Sequence, residues 1–155
     1  MTITIGRESP TGADLALLFE RHTADMHADT PPESIHMMDA SELDIPTVFF
    51  FVARAAGRPV AMGAFKRLSD PAHAEIKSMH VLAEARGQGL SKAMLAHVET
   101  AARAEGILRL SLETGVQPTF VAARALYERA GYAVCAPFEG YHDDPNSLFM
   151  TKELG

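Results

Sequence analysis

Three strand candidates follow one another with little between them, and they constrain this chain more than any other feature. They are Val48–Arg54, Val60–Phe65 and Ala74–Leu82, separated by the turn clusters Gly57-Arg58-Pro59 and Ser69-Asp70-Pro71. A helix is expected next, from Gly89 to about Glu105, because Leu90, Met94, Val98, Ala101 and Ala102 fall on one stripe. Gly106 ends it. Leu108, Leu110 and Leu112 then alternate with Arg109, Ser111 and Glu113, the period of a strand. A helix over about Pro118 to Arg129 follows, stopped by Gly131, and Tyr132–Val134 and Ser147–Thr151 supply two closing strands. Upstream, TITIG reads as a strand and Gly12 to about His27 as a helix, with Leu15, Leu18 and Phe19 in register and Asp14 in its first turn. Thr30-Pro31-Pro32 breaks that helix, and Glu33 to Ala40 is read as a second short one. Strand runs interleaved with lone helices predict an α/β (α+β) sandwich around a partly antiparallel sheet, not a doubly wound one.

Size and composition bound the rest. A chain of 155 residues is most simply one domain, 1–155, with 47% hydrophobic and 22% charged residues as in ordinary soluble proteins. The longest apolar run, Val48 to Ala53, is far too short to cross a bilayer, and MTITIGRESP has no signal-peptide pattern. Cys135 is the only cysteine, which excludes an internal disulfide and fits a reducing, cytoplasmic location. A formal charge of −6 argues against nucleic acid and tilts toward a cationic small molecule or peptide.

Arg86-Gly87-Gln88-Gly89-Leu90-Ser91 runs straight into the amphipathic helix. Glycines there let the backbone approach a bound group, and the first helical turn aims unpaired N–H groups at it. Such a junction suits a phosphate, with Arg86 adding a mobile cation; it also suits a plain tight turn with Arg86 solvated. Two phosphate motifs are excluded. A P-loop needs glycine where Glu84 stands and Lys-Ser/Thr where Leu90-Ser91 stand. A dinucleotide fingerprint needs glycine where Lys92 stands.

With a strand ending Met79-His80-Val81 before it, and Leu126-Tyr127 leading to Gly131-Tyr132 after it, the loop resembles that of the GNAT superfamily of acyl-CoA N-acyltransferases. The likeness covers roughly Thr47 to Leu154. It implies a mixed, mostly antiparallel sheet of six to seven strands flanked by about four helices. It implies acetyl-CoA as cosubstrate, its pyrophosphate cradled by Arg86, Gly87, Gln88, Gly89, Leu90 and Ser91. Ser91 stands where the family has glycine or alanine. The pantetheine arm would meet the main chain of Met79 and Val81, with His80 between them.

The resemblance further implies transfer of an acetyl group to a primary amine by direct attack in a ternary complex. An alkylammonium must first lose a proton, at a cost of about 4–5 kcal/mol at neutral pH unless the site shifts its pKa. In the family a glutamate placed like Glu75 often takes that proton; Glu113 is the second candidate, and an ordered water a third. Tyr127 occupies the position of the tyrosine that faces the departing sulfur. Full proton transfer from a tyrosine to a thiolate is uphill by roughly 2 kcal/mol, so Tyr127 either has a lowered pKa or acts as a hydrogen-bond donor. Phe120 stands where the family often has an asparagine that contacts the cofactor. The acceptor is expected to be a small-molecule or peptide amine, and the resemblance allows a homodimer. The rival reading is a non-catalytic GNAT-fold acyl-CoA sensor or protein-binding module.

Other residues invite interpretation. Seven histidines suggest a metal, but His22 and His27 are five apart, off the spacing that puts two ligands on one helix face, and no metal is expected. Glu139, Asp143 and Asp144 surround an Asp-Pro-Asn turn; they form either a solvated turn or a site for a cationic acceptor.

Overall fold

The computed structural model describes residues 2–155. Strand β1 (Ile3–Arg7) leads through a 3₁₀ turn (Ala13–Leu15) into helix α1 (Ala16–Asp29), and a short α2 (Ala40–Leu43) precedes β2 (Val48–Ala55), β3 (Arg58–Arg67) and β4 (His73–Val81). Helix α3 (Leu90–Ala104), β5 (Arg109–Gly115), α4 (Val121–Arg129), β6 (Ala133–Cys135) and β7 (Ser147–Glu153) complete it. The strands form one sheet in the order β1-β2-β3-β4-β5-β7-β6, antiparallel throughout except between β4 and β5. That exception follows from the connection: α3 carries the chain back across the sheet, so β5 enters parallel to β4.

The unbroken apolar run of β2 is explained by burial on both faces. Phe50 stacks on Phe19 of α1 with ring centroids 5.8 Å apart, whereas Phe51 meets His97 of α3 edge-on at 4.9 Å. Neighbouring strand residues point to opposite faces, so α1 and α3 cover opposite sides of the sheet. Met62, Met94, Val98, Leu110 and Met150 are fully buried in the resulting core.

Two irregularities in β4 create space. Met62 pairs with His80 and Ala64 with Lys77, so β4 uses one residue more than β3 over this interval. The bulge coincides with Ser78, at φ 58°, a left-handed conformation costly for a residue with a side chain. On its other edge β4 pairs with β5 only through His73, Ala74 and Glu75, after which the two parallel strands part. A gap therefore opens in the sheet beside residues 76–81.

Gly63 on β3 lies beneath this bulge. A Cβ there would stand 2.6 Å from Met79 Sδ and 2.8 Å from Met94 Cγ. Gly63→Ala is expected to displace both thioether chains and to lower stability by about 1–3 kcal/mol, read as a reduced denaturant midpoint at constant m-value.

Two expectations are corrected. No helix spans Glu33 to Ala40. A 3₁₀ turn occupies Pro32–Ser34 and the helix begins only at Ala40, because Asp39 caps it by accepting from Glu42 N at 2.8 Å while Glu42 Oε1 accepts from Asp39 N at 3.0 Å. Leu108 is not the first inward residue of β5: it precedes the strand and is 57% exposed, while Leu110 and Leu112 are buried as the alternation required.

Candidate active site

The loop after β4 has the geometry its glycines suggested. Gly87 and Gly89 sit at φ 79° and 78°, where any side chain is strained, and Gly89 is the N-cap of α3 with no side chain capping the helix. Ala93 N donates to Gly89 O at 3.0 Å, but among the described residues the amides from Gly87 to Lys92 find no acceptor. Gly87, Gln88, Gly89 and Ser91 are exposed and Leu90 is buried beneath them. A run of free main-chain donors at the positive end of a 15-residue helix fits a diphosphate. Arg86 is neither free nor merely solvated. Its Nε donates to Val81 O at 3.2 Å and its Nη2 to Asp25 Oδ2 at 3.0 Å, strapping the loop to α1.

Leu82 N donates to Val60 O, so Leu82 faces β3. By alternation the main-chain groups of Met79 and Val81 face the gap beside β5. His80 turns the other way and is buried, its Nε2 without a hydrogen-bond partner. Its ring meets His22 of α1 edge-on at 5.3 Å. Burial pushes the His80 imidazole below its usual pKa and takes that of His22 down to about 4, with His80 adding to the effect, so the pair is neutral near pH 7.

Where β4 and β5 part lies a cavity of about 690 Å³, counted out to its mouth. Glu75, Lys77 and Met79 of β4, Glu113 of β5, Tyr127 of α4 and Tyr141 of the β6–β7 loop all line it. Residues two apart on a strand share a face, so Glu75 and Lys77 could pair as an exposed surface feature. The pair exists, at 3.2 Å, yet the side chains are only 7% and 11% exposed. Tyr141, which the sequence did not single out, donates its hydroxyl to the same Glu75 Oε2 at 2.5 Å.

Glu113 accepts from Ser147 Oγ at 2.8 Å. Burial pushes its carboxyl up to about 7, opposed by the Ser147 bond and reinforced by the charge of Glu75. A folded-state pKa above the ordinary 4.5 means that the native state binds the extra proton, so stability falls as pH rises from about 4.5 to about 7. Glu113→Gln is expected to be neutral near pH 4.5 and stabilising by on the order of 2 kcal/mol at pH 8. Thermal melts at the two pH values check it; an equal offset at both would remove the buried charge as the cause.

Tyr127 is 6% exposed and packs edge-on against Tyr132, centroids 5.6 Å apart. Burial alone raises its pKa, and its hydroxyl has no hydrogen-bond partner among the described residues. Phe120 also lines the cavity and packs over Gly115, with the side-chain amide of Gln117 beside it.

The acidic tail is engaged elsewhere. Glu139 accepts from Ser69 N and Oγ at 2.8 and 2.7 Å, and Asp144 from Ser34 Oγ at 2.6 Å and Asn146 N at 2.8 Å. Among the described residues, no three His, Cys, Asp or Glu side chains are grouped to hold a metal ion, and no helix is long and apolar enough to cross a membrane.

Comparison with known proteins agrees with this geometry. The family model described as Acetyltransferase (GNAT) family matches residues 16–132. The N-acetyltransferase YsnE of Bacillus subtilis (strain 168) is 42% identical over 144 residues, 93% of this chain and 95% of its own. An IAA acetyltransferase of Azospirillum brasilense is 40% identical over 156 residues, 98% of each. The crystal structure described as an acyl-CoA N-acyltransferase of Klebsiella pneumoniae superposes with a TM-score of 0.81 at 32% identity, over 99% of both chains. The forked sheet, the glycine loop capping α3 and these similarities lead to one conclusion: the chain is an acyltransferase and belongs to the GNAT acetyltransferase family.

Proposed function

We propose that this enzyme, a single catalytic domain, transfers the acetyl group of acetyl-CoA to a primary amine by direct attack in a ternary complex. The observation that carries the reading is the juxtaposition, across one cavity, of a buried glutamate on β4 and a buried tyrosine on α4. A binder without turnover needs neither.

In this reading the free amides from Gly87 to Lys92 hold the diphosphate of acetyl-CoA, with Arg86 fixing the loop's position. Main-chain groups of Met79 and Val81 meet the amides of the pantetheine arm in the gap. His80, Gln88, Leu90 and Ser91 shape the two ends of that track. When bound, acetyl-CoA supplies an activated thioester carbonyl. Glu75 takes a proton from the incoming ammonium, freeing the nitrogen lone pair to form the new C–N bond as the C–S bond breaks; the second N–H proton, made acidic by that bond, passes to solvent. Its Oε1 accepts no hydrogen bond among the described residues, while Oε2 is held by Tyr141 and Lys77. Tyr127 serves the sulfur. Because burial raises its pKa, it keeps its proton and donates a hydrogen bond to the developing thiolate, which then takes its proton from solvent.

An acceptor screen following thiol release from acetyl-CoA tests the proposal. Release with amines, accompanied by the N-acetylated product, supports it. Tight CoA binding with no release for any amine would favour an acyl-CoA sensor instead.

A further inference from the structure

We propose that Tyr141 is a positioning residue for the reaction: it fixes the carboxylate plane of Glu75 so that Oε1 alone is presented to the acceptor. The inference rests on Glu75 being the base. A glutamate's terminal torsion is broad and soft, so a carboxylate in a cavity swings unless something holds it. Here both recorded donors converge on one oxygen. Tyr141 Oη reaches Glu75 Oε2 at 2.5 Å and Lys77 Nζ reaches it at 3.2 Å, while Lys77 Nζ also reaches Tyr141 Oη at 3.4 Å. The phenol is the stiffer of the two. Its ring is wedged among His36, Phe138 and Phe149, with centroids 5.2, 5.2 and 5.4 Å away, whereas lysine ends a flexible chain.

The loop that carries Tyr141 is tied down on both sides. Glu139 clips it to Ser69 in the β3–β4 turn, and Asp144 clips it to Ser34 in the segment after α1. Tyr141 N also closes a turn on Phe138 O at 2.9 Å. Glu139 and Asp144 thus hold a tyrosine over the base, while Asp143 stays exposed. The phenol remains a donor, since burial and the neighbouring charge of Glu75 both raise its pKa. The titratable groups facing Glu75 are Lys77 on its own strand, Glu113 on β5, Tyr141 and His36 on loops, His22 on α1 and Tyr127 on α4.

Tyr141→Phe keeps the ring and removes the hydroxyl. With an amine found in the screen, kcat is expected to fall roughly 10- to 100-fold while the acceptor's KM and CoA affinity stay within about twofold. In a Glu75→Gln background Tyr141→Phe should have no further effect on rate, because the residue acts through Glu75. Equal rates for Tyr141→Phe, with a melting temperature like the parent's, would overturn the inference while leaving Glu75 as base. Additive losses in the double variant would overturn it too. Full activity of Glu75→Gln would remove the base and this inference together.

Discussion

Tyr127→Phe is expected to lower kcat by about 100-fold or more while leaving the affinity for acetyl-CoA nearly unchanged. The size follows from where the hydroxyl is used. It makes no hydrogen bond within the described protein, so removing it breaks nothing in the folded chain, and the phenylalanine ring keeps the edge-on contact with Tyr132. The variant should therefore melt close to the parent's temperature, since no hydrogen bond within the described protein is lost. What it loses is a donor at the cavity wall, placed to stabilise negative charge as it develops. The comparison is single-turnover transfer against equilibrium binding of acetyl-CoA. Undiminished transfer with a good amine takes Tyr127 out of the mechanism.

Gly89→Val is expected to weaken CoA binding by at least about 100-fold, a loss of about 3 kcal/mol. Its own cost to the fold is smaller. A β-branched residue at φ 78° costs about 1–2 kcal/mol, and nothing lies within 4 Å of where the Cβ would stand, so the new side chain points into open space beside the free amides. Gly57, in the β2–β3 turn, gives a matched control: its φ is 81° and its surroundings are equally empty. Gly57→Val should lose similar stability and bind CoA normally. Calorimetric titration of both variants separates backbone strain from loss of the cradle. Normal binding by Gly89→Val would place the diphosphate elsewhere.

The scaffold was largely legible because its signals are local. The turn clusters bounded β2, β3 and β4 to within a residue or two, and the apolar stripe of α3 located the helix that closes over them. The short helix after α1 went astray although its signal was present. Asp39-Ala40-Ser41-Glu42 is a capping-box pattern, and the proline pair upstream drew the boundary too early. The site was legible only in part. Glu75, Tyr127 and the glycine loop could be proposed from resemblance, since each sits at a fixed offset from a strand or helix end. Tyr141 could not. It reaches Glu75 across 66 residues, brought there by two side-chain clips and an aromatic cluster, none of which has a period or spacing in the sequence. The same holds for the Arg86–Asp25 strap, and for the burial that turns the Glu75–Lys77 pair from a surface feature into part of a cavity wall.

The fork between β4 and β5 also acts as a chemical filter. Past Glu75 the two strands stop satisfying one another, so peptide groups border the slot between them. A greasy intruder of the right width would strip water from those groups and offer nothing in return, at a cost of kilocalories per group. A chain bearing its own amides at strand-like intervals would knit the fork shut. The edges of the fork are thus suited to an occupant that carries its own amides.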